Sequence, residues 1–344
     1  MMVSSKTFKS INSDSIFFSF GDYVLLEHLA SGGWADIYRV GKCSPDGIPS
    51  FYAIKMLCND LSEDRIIRDM FAEEAQIQAM LHHENIVRFE EFVKIGGQLG
   101  IVMDYYHGRN LSHIINGVIE AGLSIEQDIA LYIMHTAIKA LEYVHGMSSI
   151  NGVPLQIVHR DINPTNIFLC FNGDVKIIDF GIAQRRFESR CASKNDIYGK
   201  LSYMSPEQVS REDVDRQTDI FALGAVFYEI LSGKPLFPGE RHSAIVKSLK
   251  TVDIIEAISS LQVDDQLRDI LKRLLARDRL KRYQNLSDTR KQLIAYGQQK
   301  QYSLSSSKLR KLMGHLFPVA KRDEIKKVEY YEQRVVSVCI NGKF

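Results

Sequence analysis

A chain of 344 residues exceeds the roughly 100–200 of an average domain, so its length allows one large domain or two lobes. Its 45% apolar and 25% charged residues match an ordinary soluble globular protein, and a net charge of +1 gives no electrostatic case for nucleic acid or an anionic membrane. The five cysteines, at 43, 58, 170, 191 and 339, form no CxxC pair and no even-numbered framework; this argues against disulfides and a zinc site and for a reducing, cytoplasmic compartment. Export to a host cell is left open. The longest apolar runs, such as 222–231, are too short to span a bilayer, and the N-terminus lacks the apolar core and cleavage site of a secretory signal.

Residues 1–20 are Ser-rich and read as a flexible leader. Over 21–104, short β-branched or aromatic runs predict strands near 23–29, 36–41, 51–57, 86–94 and 99–106. A helix predicted over 64–81 interrupts them, with Met70, Ile77, Met80 and Leu81 at helical spacing. Over 105–298 helices dominate, near 125–145, 219–232, 243–258, 264–276 and 287–297, with short strands and loops in "IVHRD", "NIFLC" and "VKIIDFG". The change of texture predicts an α+β fold of two lobes, a β-rich N-lobe with one helix and an α-rich C-lobe, joined near 104–108. The remainder, 299–344, reads as a Ser-rich linker, a short helix and a tail. Leu309, Leu312, Met313 and Leu316 lie on one stripe of that helix, and Pro318 is expected to stop it. Nothing in the tail "RVVSVCINGKF" favours pairing with the domain over pairing with a partner.

Four segments carry chemistry. "LASGGWADIYRV" (29–40) puts Gly32 and Gly33 in a turn between strands, where backbone N–H groups can approach phosphate oxygens without a Cβ in the way; alone, it is also an ordinary hairpin. Trp34 at the tip is free to cover a phosphate or to pack elsewhere. "YAIK" ends an apolar strand on Lys55, a point charge suited to phosphate oxygens if an acid holds it. Glu73 and Glu74 are both available, and periodicity does not choose between them. In "HRDINPTN" Asp161 can accept a hydroxyl proton, while Asn166 and the Asp179 of "IIDFG" offer oxygens to a hard divalent cation. Any one of these residues could be an ordinary surface or core group; the ordered set is not explained that way.

Together, from about 23 to 297, these segments resemble a eukaryotic-type protein kinase catalytic domain. "YAIK" is similar to the ATP-lysine strand, "HRDINPTN" to the catalytic loop, "DFG" (179–181) to the metal-binding motif and "YMSPE" (203–207) to the end of the activation segment. "DIFALG" (219–224) resembles the buried helix that follows, and Arg282 the partner of Glu207. The resemblance implies ATP and Mg2+ (with Mn2+ as an alternative) and a protein substrate; the charge and the short apolar runs already spoke against nucleic-acid and membrane-spanning roles. The position of "HHENIV" selects Glu74 as the partner of Lys55. The glycine pattern falls on Ala30, Gly32, Ala35 and Ile37, so alanine replaces two of its three glycines. Met103 takes the gatekeeper position and Asp104 to Tyr106 the hinge whose backbone would bond adenine, with Ala53 and Phe168 on either side of the ring. His159 and Phe180 would belong to an internal packing spine.

The match is nearest to bacterial Ser/Thr kinases of the type common in myxobacteria. Three features point there: the long stretch before the catalytic loop, Asn163 where a lysine is usual, and Lys200 where threonine is usual. Asn163 removes the cation that neutralises the transferring phosphoryl. The family geometry puts Lys200 beside Asp161, so Lys200 is expected to supply that charge; the plainer reading is a solvated loop lysine on a slow enzyme. Ser189, Ser193 and Tyr198, near Arg185, Arg186 and Arg190, are candidate phosphoacceptors, with Arg160 as the receiving cation; a solvated basic loop that needs no phosphate is the equal alternative. The functional expectation is a Ser/Thr protein kinase. A nucleotide-binding pseudokinase scaffold is the alternative; a small-molecule phosphotransferase fits the substrate-platform motifs less well.

Overall fold

In the computed structural model, which describes residues 19–180, 200–239 and 241–340, the N-terminal runs pair into one antiparallel sheet. Its strands are β1 (Ser19–Phe20), β2 (Tyr23–Ser31), β3 (Ala35–Cys43), β4 (Pro49–Leu57), β5 (Phe89–Ile95) and β6 (Gln98–Asp104), in the order β1-β2-β3-β4-β6-β5. The register sets Lys55 between Ile37 and Ile101, and Ala53 opposite Met103. Alternation along β4 then turns Ala53 and Lys55 to the same face. Helix α1 (Arg65–Met80) packs on the sheet. Asp64 caps it by accepting from the N–H groups of Ile66 and Ile67, and Ile67, Met70, Phe71 and Ala75 are buried.

The C-lobe opens with β7 (Gly108–Asn110), α2 (Leu111–Glu120) and α3 (Gln127–His145), then the strands β8 (Ile167–Cys170) and β9 (Val175–Ile177). It continues with α4 (Pro206–Val209), α5 (Gln217–Ser232), α6 (His242–Thr251), α7 (Ile254–Ser259), α8 (Asp265–Leu274) and α9 (Leu286–Gln299). Helix α3 is buried on nearly every side, which fits its run of Ala, Ile, Leu and Met at the centre of the lobe. Helix α2 was not anticipated, although Asn110 caps it and Leu111, Ile114, Ile115 and Val118 form a buried stripe. The single helix expected over 243–258 is two, because Asp253 accepts from the N–H groups of Ile255 and Glu256 and starts a new one.

At the C-terminus α10 (Ser306–Leu316) ends before Pro318 as expected, with Phe317 in a non-helical conformation, but Pro318 then opens a further helix that was not anticipated, α11 (Pro318–Ile340). Proline suits a first helical position because the N–H it lacks would have no intrahelical partner there. Helix α11 lies against β2 and β3, so this part of the tail packs on the domain itself. Val335 is fully buried beside Val24 and Leu26 and covers Gly41, where an added Cβ would stand 2.3 Å from a Val335 methyl. The expectation of no disulfide fails. Cys43, at the end of β3 and 3.9 Å from the Val335 carbonyl, is disulfide-bonded, with a partner outside the described side chains. Local spacing registers only neighbouring cysteines and says nothing of a strand brought against a remote segment.

Candidate active site

Lys55 is buried between the lobes. Its Nζ lies 2.6 Å from Glu74 Oε1 and 3.2 Å from Asp179 Oδ1. Burial alone would lower the amine's affinity for its proton; Asp179 and Glu74 outweigh it and hold the ammonium charged. Of the two candidate acids, Glu74 therefore faces the lysine, while Glu73 lines a cleft behind α1 with Ile77 and Arg160. Gln78 Nε2 donates to Glu74 Oε1 one helical turn on, which fixes the carboxylate's rotamer.

Trp34 does not stand over the cleft as a loop tip. It is buried, meets Phe71 of α1 edge-on with ring centroids 5.6 Å apart, and presents its face to Lys55 Nζ at 4.7 Å. The indole thus joins the turn, the lysine and the helix in one contact. The turn itself closes through Gly32 N–H donating to the Ala35 carbonyl at 2.9 Å. Ala30 and Ala35 lie in β2 and β3 and neither has positive φ, so replacing glycine by alanine strains no backbone there. Ile37 is paired with Lys55 across β3 and β4, and Gly33 sits at the apex before Trp34.

Asp161 is held by three donors. Asn163 Nδ2 donates to Oδ1 at 3.0 Å; Asn166 Nδ2 and Lys200 Nζ both approach Oδ2, at 2.8 and 2.9 Å. An ionised carboxylate accepts at about four lone-pair sites, so one on Oδ1 is left for a further donor. Asn163 also shapes the loop itself. It is buried, caps the turn Pro164–Asn166 and accepts from the N–H of Thr165 at 2.9 Å. With its nitrogen on Asp161, the Asn166 amide turns its oxygen elsewhere. The Asn166 carbonyl accepts from Ile178 N–H at 3.0 Å, which fastens the strand just before Asp179 to the loop. Burial raises the Asp179 carboxyl, but Lys55 and Lys200 outweigh it and hold it below the usual range, ionised at neutral pH.

Sequence reading missed the groups that hold this loop. Asp219, fully buried at the start of α5, accepts from the N–H groups of His159 at 2.9 Å and Arg160 at 2.8 Å, and pairs with His145. Gln208 Nε2 donates to the Arg160 carbonyl at 3.0 Å. These bonds hold the backbone on both sides of Arg160 in a left-handed φ of 68°, which side chains other than glycine's seldom adopt; Asp179 has a left-handed φ of 53° as well. The fixed position of "DIFALG" after the loop was the available signal. His159 and Phe180 pack with ring centroids 4.6 Å apart, and Arg282 grips Glu207 with two bonds of 2.7 and 2.9 Å. Met103 is buried at the end of β6, before Asp104, Tyr105 and Tyr106; Ala53 is paired with it, and Phe168 lies half-buried on β8. Ser189, Ser193, Tyr198 and the arginines near them lie outside the described residues.

A two-lobed fold with a lysine–glutamate pair, an acid loop and a second acid after a short strand can be compared with known proteins. The protein kinase domain model matches residues 23–294. The chain belongs to the protein kinase domain family. Among curated relatives, the tyrosine-protein kinase MasK of Myxococcus xanthus is 35% identical over 232 residues, 67% of this chain and 36% of MasK. The serine/threonine-protein kinase PrkC of Bacillus subtilis is 32% identical over 272 residues, 78% of this chain and 39% of PrkC. The chain thus spans under half the length of these relatives. The solved kinase domain of Mycobacterium tuberculosis PknI shares the fold, with a TM-score of 0.60 at 24% identity over 84% of this chain and all of that one. For the kinase domain, the donor set fits a magnesium ion, which takes one or two protein oxygens beside phosphates and water: the Asn166 amide oxygen and an Asp179 carboxylate oxygen are its candidates. No helix among the described residues is long and apolar enough to cross a membrane.

Proposed function

We propose that this chain is an ATP- and magnesium-dependent protein Ser/Thr kinase. The observation that carries the proposal is Asp161, with one acceptor site open on Oδ1 and Lys200 2.9 Å from Oδ2. In the proposed reaction a substrate hydroxyl hydrogen-bonds to Asp161, and its oxygen attacks the γ-phosphorus in line. A new P–O bond forms, the bond to the β-phosphate oxygen breaks, ADP leaves, and the hydroxyl proton passes to Asp161. Lys55, held by Glu74, binds α- and β-phosphate oxygens. The turn at Gly32 and Gly33, flanked by Ala30 and Ile37, covers them. The backbone of Asp104 and Tyr106 bonds adenine beside Met103, with Ala53 and Phe168 on its faces. Magnesium held by Asn166 and Asp179 would neutralise phosphate charge.

Lys200 supplies the cation that Asn163 does not. A preplaced positive charge next to the transferring group stabilises the charge that gathers on it. The pseudokinase alternative is disfavoured because a scaffold has no use for the full set of Lys55, Asp161, Asn166 and Asp179. Tyrosine specificity is kept as a second reading because Lys200 stands where threonine is usual in Ser/Thr kinases and because MasK bears that name. Phosphoamino-acid analysis of a generic substrate separates the two: label on Ser or Thr supports the proposal, and label on Tyr alone overturns its specificity. Transfer that survives removal of divalent cations by EDTA would contradict the magnesium assignment.

A further inference from the structure

The family match ends at residue 294, yet the chain beyond it returns to the hinge. Glu324, on the second turn of α11, is nearly buried. Its Oε1 accepts from Arg39 Nη2 at 2.6 Å and from the Tyr105 hydroxyl at 2.9 Å, and lies 3.0 Å from His107 Nδ1. Arg39 comes from β3, is 1% exposed, and stacks over the Tyr105 ring with its guanidinium carbon 4.2 Å from the centroid. One carboxylate oxygen therefore gathers the N-lobe and both residues that flank Tyr106.

The flanking geometry matters because side chains two apart in an extended segment share a face. Tyr105 and His107 turn to Glu324. Tyr106 turns the other way, with its hydroxyl on Asp104 and Lys176 Nζ 4.6 Å from its ring. The segment's ends are tied too: Asp104 N–H donates to the Arg88 carbonyl at 3.0 Å, and the His107 carbonyl accepts from Phe171 N–H at 2.8 Å. Helix α11 is anchored on both lobes. Phe317, just before it, lies against Gly117 of α2, while Val335 is buried over Gly41 and Lys327 pairs with Glu27 of β2.

We propose that Glu324 is a positioning residue for the nucleotide site: by holding Tyr105 and His107 it sets the backbone of 104–106 toward the adenine cleft, with α11 as a clamp across the hinge. The role of that backbone rests on the kinase reading; the clamp itself does not. A helix that only stabilised the N-lobe would lower the melting temperature on damage but leave adenine affinity alone.

The test uses the full chain with Glu324→Gln, which keeps the shape and removes the charge, and Tyr105→Phe, which removes one donor. Amide hydrogen exchange of the 104–107 segment is measured without nucleotide; adenosine and ADP affinities are measured by calorimetry, and KM for ATP and kcat by transfer assay. Glu324→Gln is expected to speed exchange at the hinge. It should weaken adenosine and ADP by the same factor, roughly fivefold or more, and raise KM for ATP alike with kcat held within about twofold. Tyr105→Phe should do the same to a smaller extent. Unchanged adenosine affinity in folded Glu324→Gln overturns the positioning role, whether or not exchange changes; if that variant does not fold, unchanged affinity in Tyr105→Phe overturns it. Faster hinge exchange together with no adenosine binding by the wild type overturns the kinase reading and leaves the clamp standing.

Discussion

Asn163 stands where related catalytic loops carry a lysine, and its side chain is committed to holding the loop rather than to charge. It caps the turn Pro164–Asn166 and donates to Asp161, while Lys200 reaches the opposite oxygen of that carboxylate. Lys200→Ala is expected to lower kcat roughly hundredfold, a typical loss for one electrostatic stabiliser, with ADP affinity nearly unchanged; steady-state kinetics beside calorimetry check it, and full turnover in the variant would remove Lys200 from the mechanism. This pairing was legible in the sequence because both departures fall inside motifs of fixed geometry. Trp34 was not legible, since a turn residue has no periodicity to reveal which way its ring goes. As the chain's single tryptophan, it reports directly on the site. In Phe71→Ala the indole loses its edge-on partner and gains water, so the emission maximum should move to longer wavelength and ADP affinity should fall. An unmoved spectrum would contradict the contact.

Among the elements, α11 is one that the sequence reading did not anticipate. Pro318 meets the rule for a helix stop and the rule for a first helical position at once, since α10 ends before it and α11 opens on it; the packing of Val335 on Gly41 is what the sequence reading left open. Glycine in mid-strand was the overlooked signal, because it marks a place where another chain segment comes close. Gly41→Ala should lower stability by about 1–3 kcal/mol by forcing Val335 away, and Val335→Ala in the same chain should recover part of the loss. Thermal unfolding of the two single variants and the double variant checks this; strictly additive losses would place α11 elsewhere. By contrast α1 and strands β2 to β6 could be read to within a few residues, because one buried face imposes its period on the sequence, whereas β1 fell inside the stretch read as a flexible leader. The split of 243–258 into two helices hung on a single capping aspartate, which a periodicity argument passes over.

At the scale of the molecule, buried carboxylates bind the parts together. Burial pushes Glu207, Asp219 and Glu324 up, but Arg282, His145 with the loop N–H groups, and His107 with Arg39 each outweigh it; all three end below their ordinary values, Glu324 at about 2. A carboxyl whose folded value is depressed adds stability that is fully present above its unfolded value and is lost as pH falls through the folded one. In urea unfolding these carboxyls should therefore contribute a fall in stability below about pH 4.5. In Glu324→Gln the acid fall should be shallower; an equally steep fall would deny that this carboxylate is linked to folding. None of the three pairings between segments remote in sequence was visible as an energy in the sequence, although the Glu207–Arg282 partnership followed from the family resemblance. The two-lobed plan and the order of Lys55, Glu74, Asp161, Asn166 and Asp179 were visible, because each residue sits in its own local context. The central claim is that Asp161 takes the proton from a protein hydroxyl. It is tested most directly by transfer from labelled ATP with magnesium to a generic protein substrate, comparing wild type with Asp161→Ala. The account predicts label on Ser or Thr with wild type and a loss of roughly 10²–10⁴-fold in the variant; equal incorporation in the two, or none from a wild type that binds nucleotide, would contradict it.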